Sequence, residues 1–184
     1  LELPPYRMPT LRNVWAHVWE KVKDFLSRAA TLILAMSVVL WLLQSFTPQL
    51  QYTTDVSASL LSGIGGVLAP LFIPCGFGVW QAAVALLTGL VAKEAVVSSM
   101  SLFYGFSLTA SGAAVALALG STFTPVSAYA FLVFCALYTP CVAAIATIRR
   151  EMGSAKWTLA CLGWQLGVAY LVSMLIYQVG SLIF

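Results

Sequence analysis

Between Ala29 and Ile148 the chain carries only three charged residues, Asp55, Lys93 and Glu94, and from Trp157 to Phe184 it carries none. A soluble fold needs polar side chains on every outward face, whereas a chain solvated by lipid needs them only at its ends and along internal cavities. Charge-free stretches of this length exclude a soluble globular domain and point to an all-α, polytopic membrane domain. The composition agrees, with 61% of residues hydrophobic and 8% charged against roughly 25% charged in soluble domains.

The remaining charges narrow the class further. The nine Lys and Arg residues sit at membrane-boundary positions and form no basic face, which argues against nucleic-acid binding. Cys75, Cys135, Cys141 and Cys161 lie in apolar stretches without CxxC spacing, so neither a zinc ribbon nor a secreted disulfide framework is indicated. The opening Leu-Glu-Leu-Pro-Pro has no signal-peptide character, and the missing Met suggests a fragment.

Along the chain, Leu11 to Ala29 places Leu11, Val14, Trp15, Val18, Val22, Phe25 and Leu26 at helical spacing, with Arg12, Glu20, Lys21, Lys23, Asp24 and Arg28 between them. This pattern predicts an amphipathic helix on the membrane surface, on the cytoplasmic side by the positive-inside rule. Domains are expected at 1–28, an extended segment and this interfacial helix, and at 29–184, the transmembrane part. Ala30 to Phe46 predicts a first membrane helix, and Thr47 to Ser59 an external loop. Leu60 to Phe77 holds Gly63, Gly65, Gly66, Pro70, Pro74 and Gly76, which predict a discontinuous or re-entrant helix. Further long helices are expected over Trp80 to Tyr104, over Pro125 to Ile148 with an interruption at Pro140, and from Ala155 to about Phe184. If both the first helix and the 149–156 loop are cytoplasmic, an even number of crossings separates them, giving about five crossings in all.

Two constellations carry chemistry. Lys93 and Glu94 fall near the centre of an expected helix, where a charge facing lipid costs on the order of 3 kcal/mol. Glu94 shares a stripe with Ser98 and Ser101, a hard-oxygen wall that could pass a divalent cation. The same two charges could instead tie helices together through partners elsewhere. In Tyr138-Thr139-Pro140-Cys141, Pro140 has no N–H for the Ala136 carbonyl. That carbonyl, the Thr139 hydroxyl and the Cys141 thiol are then within about one turn, a donor set that suits a borderline ion such as Fe²⁺. A membrane cysteine is also an ordinary packing residue, and a Thr-Pro kink is common in membrane helices. Cys75, at the Pro74-Cys75-Gly76 break, is a weaker metal candidate of the same kind. Cys135 and Cys161 read as packing residues, Gln165 and Gln178 as interhelical hydrogen-bonding groups. No catalytic constellation accompanies the charges, so a membrane enzyme is not expected.

Residues 1–10, Gly76-Phe77-Gly78 through Trp80, the run Ala82 to Ser98 with Ala92-Lys93-Glu94, and Tyr138-Thr139-Pro140-Cys141 together resemble the bacterial ferrous-iron transporter family FeoB. The resemblance spans nearly the whole chain and implies the C-terminal part of the membrane domain, including the second of two gate-type repeats. It implies Fe²⁺ uptake across the bacterial inner membrane, with Fe²⁺ as transported ion and Cys141 as an iron contact. The family's GTPase domain, which takes GTP and Mg²⁺, and the first gate repeat would be partners in the same protein. No GxxxxGK[ST] loop occurs in these residues, so no cofactor is expected to bind here. A chain holding half of such a path would cover its exposed surface by forming a homo-oligomer. Two other readings stay open at this point: an assembly scaffold that transmits GTPase movements, and a gate-type carrier for a nucleoside or another organic solute.

Overall fold

The computed structural model describes residues 10–49, 51–53, 55–107, 109–138 and 141–183. Among them the chain is helical, with a single isolated β-bridge between Phe46 and Tyr52. The helices are α1 (Leu11–Ser45), α2 (Leu60–Leu68), α3 (Trp80–Gly89), α4 (Glu94–Tyr104), α5 (Gly112–Leu119), α6 (Pro125–Leu137), α7 (Val142–Met152) and α8 (Ala155–Ile183). A 3₁₀ segment, Ala69–Cys75, continues α2.

Local chemistry sets the starts and stops. Ser59, Ser111 and Thr124 each accept a hydrogen bond from a backbone N–H three residues on, as N-caps of α2, α5 and α6. Pro125 follows at the first position of α6, where its missing N–H costs nothing. Gly153, at φ 59°, ends α7 in the left-handed conformation and lets α8 begin two residues later.

Two expectations change. The amphipathic segment and the first apolar segment are one helix: α1 runs 35 residues without a break through the expected 28/29 boundary. The apolar period simply continues from one part to the other, with no Gly or Pro to separate them. The helix expected over Trp80 to Tyr104 is two. α3 stops at Gly89, residues 90–93 turn, and α4 packs back against α3. Inside this hairpin the Thr88 and Ser99 hydroxyls share a buried hydrogen bond of 2.9 Å.

The break expected within Leu60 to Phe77 is present. Leu60–Cys75 and Trp80–Gly89 meet at 101° around Gly76, whose φ of 85° favours glycine. Among the described residues two helical stretches are long and apolar enough to cross a membrane, Pro125–Met152 and Ala155–Ile183, or three if the bent pair is one span. Ala30–Ser45 is a shorter apolar helix.

The core lies where α6, α8, the 3₁₀ segment and the hairpin converge. Phe77 is its centre, 1% exposed, with Phe72, Phe131 and Phe134 at ring-centroid distances of 5.4, 5.2 and 5.6 Å. The ladder continues through Phe134 to Tyr138, stacked at 5.7 Å, and so reaches the end of α6. Ser173 of α8 donates to the Ala130 carbonyl of α6 at 2.9 Å, a buried tie between the two longest apolar elements of the core.

Candidate functional site

Two interrupted helices meet in this fold. α3 has 10 residues and α4 has 11, each about 15 Å long at ~1.5 Å per residue, roughly half of a ~30 Å hydrocarbon core. Lys93 and Glu94 therefore sit at the hairpin tip and not at the middle of a long helix, Lys93 as N-cap and Glu94 as first residue of α4. The second interruption lies in the Pro125–Met152 stretch, where α6 ends at Leu137 and both Tyr138 (ψ 170°) and Cys141 (ψ 160°) are extended. Thr139 and Pro140, both named by the sequence, lie outside the described residues.

Each interruption supplies what the other lacks. The Ala136 carbonyl has no N–H four residues on, because residue 140 is proline. The Lys93 ammonium donates to this carbonyl and to its neighbour in the last turn of α6, Ala136 O at 3.3 Å and Cys135 O at 3.2 Å. It also lies 5.1 Å from the centroid of the Tyr138 ring, a cation–π distance. In return the Tyr138 hydroxyl donates to Leu86 O at 3.3 Å, in the last turn of α3. The Val142 N–H, at the start of α7, donates to Leu90 O in the hairpin turn at 2.8 Å. A positive charge at the C-terminal end of α6 is also where the helix dipole favours it.

Gly89 makes this meeting possible, since a Cβ there would collide with the Tyr138 hydroxyl and with Val96. The turn itself was not legible in the sequence, and its only local signal is this glycine. Ala95 N to Ala92 O (2.9 Å) and Val91 N to Thr88 O (3.0 Å) show the tight i→i+3 bonds that replace the α-helical ladder there.

The remaining candidates fall as follows. Lys93 holds the Ala136 carbonyl in this conformation. Cys141 is half-buried at the N-terminus of α7. Glu94 and Ser98 are exposed and Ser101 is half-buried. Their stripe lies along α4, with the Ser98 and Ser101 hydroxyls bonded back to Glu94 O (3.5 Å) and Ser98 O (2.9 Å). Cys75 is fully buried in the aromatic core, its Sγ 3.8 Å from Tyr170 O. Gln178 makes the expected interhelical bond, to Pro74 O at 3.1 Å, whereas Gln165 Oε1 is buried without a hydrogen-bond partner among the described residues. Among the described residues, no three His, Cys, Asp or Glu side chains gather into a metal-holding group.

Comparison with known proteins bears on this arrangement directly. The family model for the gate domain, described as nucleoside recognition, matches residues 26–155, which include both interruptions. The chain belongs to the Gate family. A second model, the C terminus of ferrous iron transport protein B, matches residues 1–21 of the Gate chain. Among curated relatives, the Fe(2+) transporter FeoB of Staphylococcus aureus (strain COL) is 41% identical over 182 residues, covering 99% of the Gate chain and 27% of the relative. The Fe(2+) transporter FeoB of Methanocaldococcus jannaschii is 38% identical over 191 residues, covering 100% and 28%. A Fe(2+) transport protein A/Fe(2+) transporter FeoB fusion protein of Porphyromonas gingivalis is 33% identical over 228 residues, covering 100% and 27%. The Gate chain thus spans about a quarter of the length of these relatives. No solved structure matches it.

Proposed function

We propose that the chain is part of the transmembrane path of a ferrous-iron uptake transporter in the bacterial inner membrane, linked in the full-length protein to a GTPase domain and a first gate repeat. One observation carries this reading. Two helix interruptions meet, tied by Lys93 to the Cys135 and Ala136 carbonyls and, at the start of α7 next to Cys141, by the Val142 N–H to Leu90 O. Non-helical backbone at membrane depth is stable only where it is enclosed by protein or lines a cavity, and transporters place ion sites at such broken helices. Supporting it, the relatives that match the whole chain are named as Fe(2+) transporters.

In this reading Fe²⁺ passes as substrate. The Ala136 carbonyl, the Thr139 hydroxyl and the Cys141 sulfur offer a transient mixed hard and soft donor set, suited to a borderline ion. Glu94, exposed at the hairpin tip with the Ser98 and Ser101 stripe behind it, draws cations toward that point. Cys75, fully enclosed, is assigned to packing. The charged N-terminal part of α1 and residues 149–156, where α7 ends and α8 begins, face the cytoplasm, in keeping with their basic residues.

The test is Fe²⁺ uptake by the full-length transporter carrying Cys141→Ser. Uptake should fall about tenfold, the worth of ~1.4 kcal/mol of ion binding, at an unchanged amount of protein in the membrane. Unchanged uptake removes Cys141 from the path. Competition of Fe²⁺ uptake by excess uridine would instead favour a nucleoside carrier.

A further inference from the structure

The group that fills the α6 carbonyls is itself a cation. We propose that Lys93 is a tethered cation occupying the ion's own place at the α6–α7 interruption, and that it must withdraw before an ion in transit can use the Ala136 carbonyl. For the identity of that ion this rests on the iron-path reading.

The cradle is built independently of its occupant. Tyr138, 4% exposed, is fixed by stacking on Phe134 at 5.7 Å and by its hydroxyl on Leu86 O at 3.3 Å. The Cys135 and Ala136 carbonyls belong to α6, which α8 and the aromatic ladder hold in place. Two carbonyl oxygens at a helix C-terminus with a π face beside them attract any positive charge. Lys93, in contrast, enters from the hairpin turn and remains exposed, so its side chain can leave without opening the core.

The distances define the competition. Contacts of 3.2 and 3.3 Å suit an ammonium, whereas a hard divalent ion holds oxygens at about 2.0–2.6 Å. A divalent ion on Ala136 O would also sit within repulsive reach of the ammonium. One carbonyl therefore serves lysine or ion, not both. The coupling is reciprocal: removing the ammonium raises ion affinity, and the ion loosens the lysine.

The experiment uses the full-length transporter with Lys93→Ala, which leaves a slot the size of n-propylammonium. First, thermal melting is measured in detergent. The variant should melt below wild type, n-propylammonium should restore at least half of the loss, and n-propanol should restore none. No restoration, or equal restoration by the alcohol, overturns the cation cradle. Second, the Fe²⁺ concentration giving half-maximal uptake should fall at least about fivefold in the variant, at the lower end of ordinary coupling between sites, and n-propylammonium should bring it back. Half-saturation indifferent to both the substitution and n-propylammonium overturns the competition even where melting is rescued. If Lys93→Ala does not fold, Lys93→Met keeps the apolar stem and should show the same shift in half-saturation, while Lys93→Arg should stay near wild type. No uptake in wild type itself sinks the iron reading alone, and the melting series still decides whether the cradle takes a cation.

Discussion

The chain contains the dipeptide Pro-Cys twice, at Pro74-Cys75 and at Pro140-Cys141, and a helix is interrupted at each place. The two interruptions are closed by different chemistry. In the 3₁₀ segment Pro74 has no N–H for Leu71 O, three residues back. The Tyr170 hydroxyl donates there at 3.0 Å, and the Gln178 amide donates to Pro74 O at 3.1 Å. Both donors are neutral and both come from α8, so this interruption is locked against one rigid helix, with Cys75 0% exposed beneath it. At the other, the carbonyls of Cys135 and Ala136 receive a charged, exposed lysine from a turn, and Cys141 stays half-buried. The same dipeptide thus stands at a joint sealed by neutral donors of one helix and at a joint closed by an exposed charge from a turn.

This contrast can be broken at several points. The largest effect is expected from Gly76→Ala, because a Cβ would collide with the Tyr177 ring at a φ of 85°. Left-handed strain and overpacking together should cost about 3 kcal/mol, seen as a large drop in melting temperature in detergent. Next, Tyr170→Phe leaves Leu71 O without its donor and should cost about 1–3 kcal/mol. Fe²⁺ uptake per folded molecule should stay the same, and a drop in uptake at equal folding would place the sealed joint on the path. Smallest is Cys75→Ser, which puts a hydroxyl in an enclosed apolar site within reach of Tyr170 O and should lower stability by about 1 kcal/mol. Its uptake should match wild type where Cys141→Ser loses about tenfold. Equal losses from the two cysteines would erase the distinction.

The membrane class, the helical fold and the positions of the Pro-rich interruptions were legible because each follows from local composition: charge density, or a missing N–H. Lys93, Glu94 and the Tyr138–Cys141 element were legible as places of interest for the same reason, a charge at depth and a proline in a helix. Their relation was not. The turn at 90–93 has no proline, and what stabilises it, the Tyr138 hydroxyl on Leu86 O and the Val142 N–H on Leu90 O, comes from about fifty residues away. Periodicity across Trp80 to Tyr104 reads as one helix until that partner is present. Nor could the sequence say that the Ala136 carbonyl freed by Pro140 would be met by Lys93. The joining of the amphipathic and apolar segments into α1 was hidden in the opposite way, since an uninterrupted period marks no boundary between water and lipid.

α1 has mechanical meaning as well. At 35 residues it is about 52 Å long, a stiff rod with its charged half beside the end of α7, where the two line a cleft of about 590 Å³ with Lys21, Asp24, Arg150 and Glu151. Its far end is stitched to the next element by Phe46, which accepts the Leu60 N–H at 2.8 Å. A rod without a hinge stores no slack. α1 thus joins the charged cleft at α7 to the start of α2, and α2 lies against the hairpin that holds Lys93.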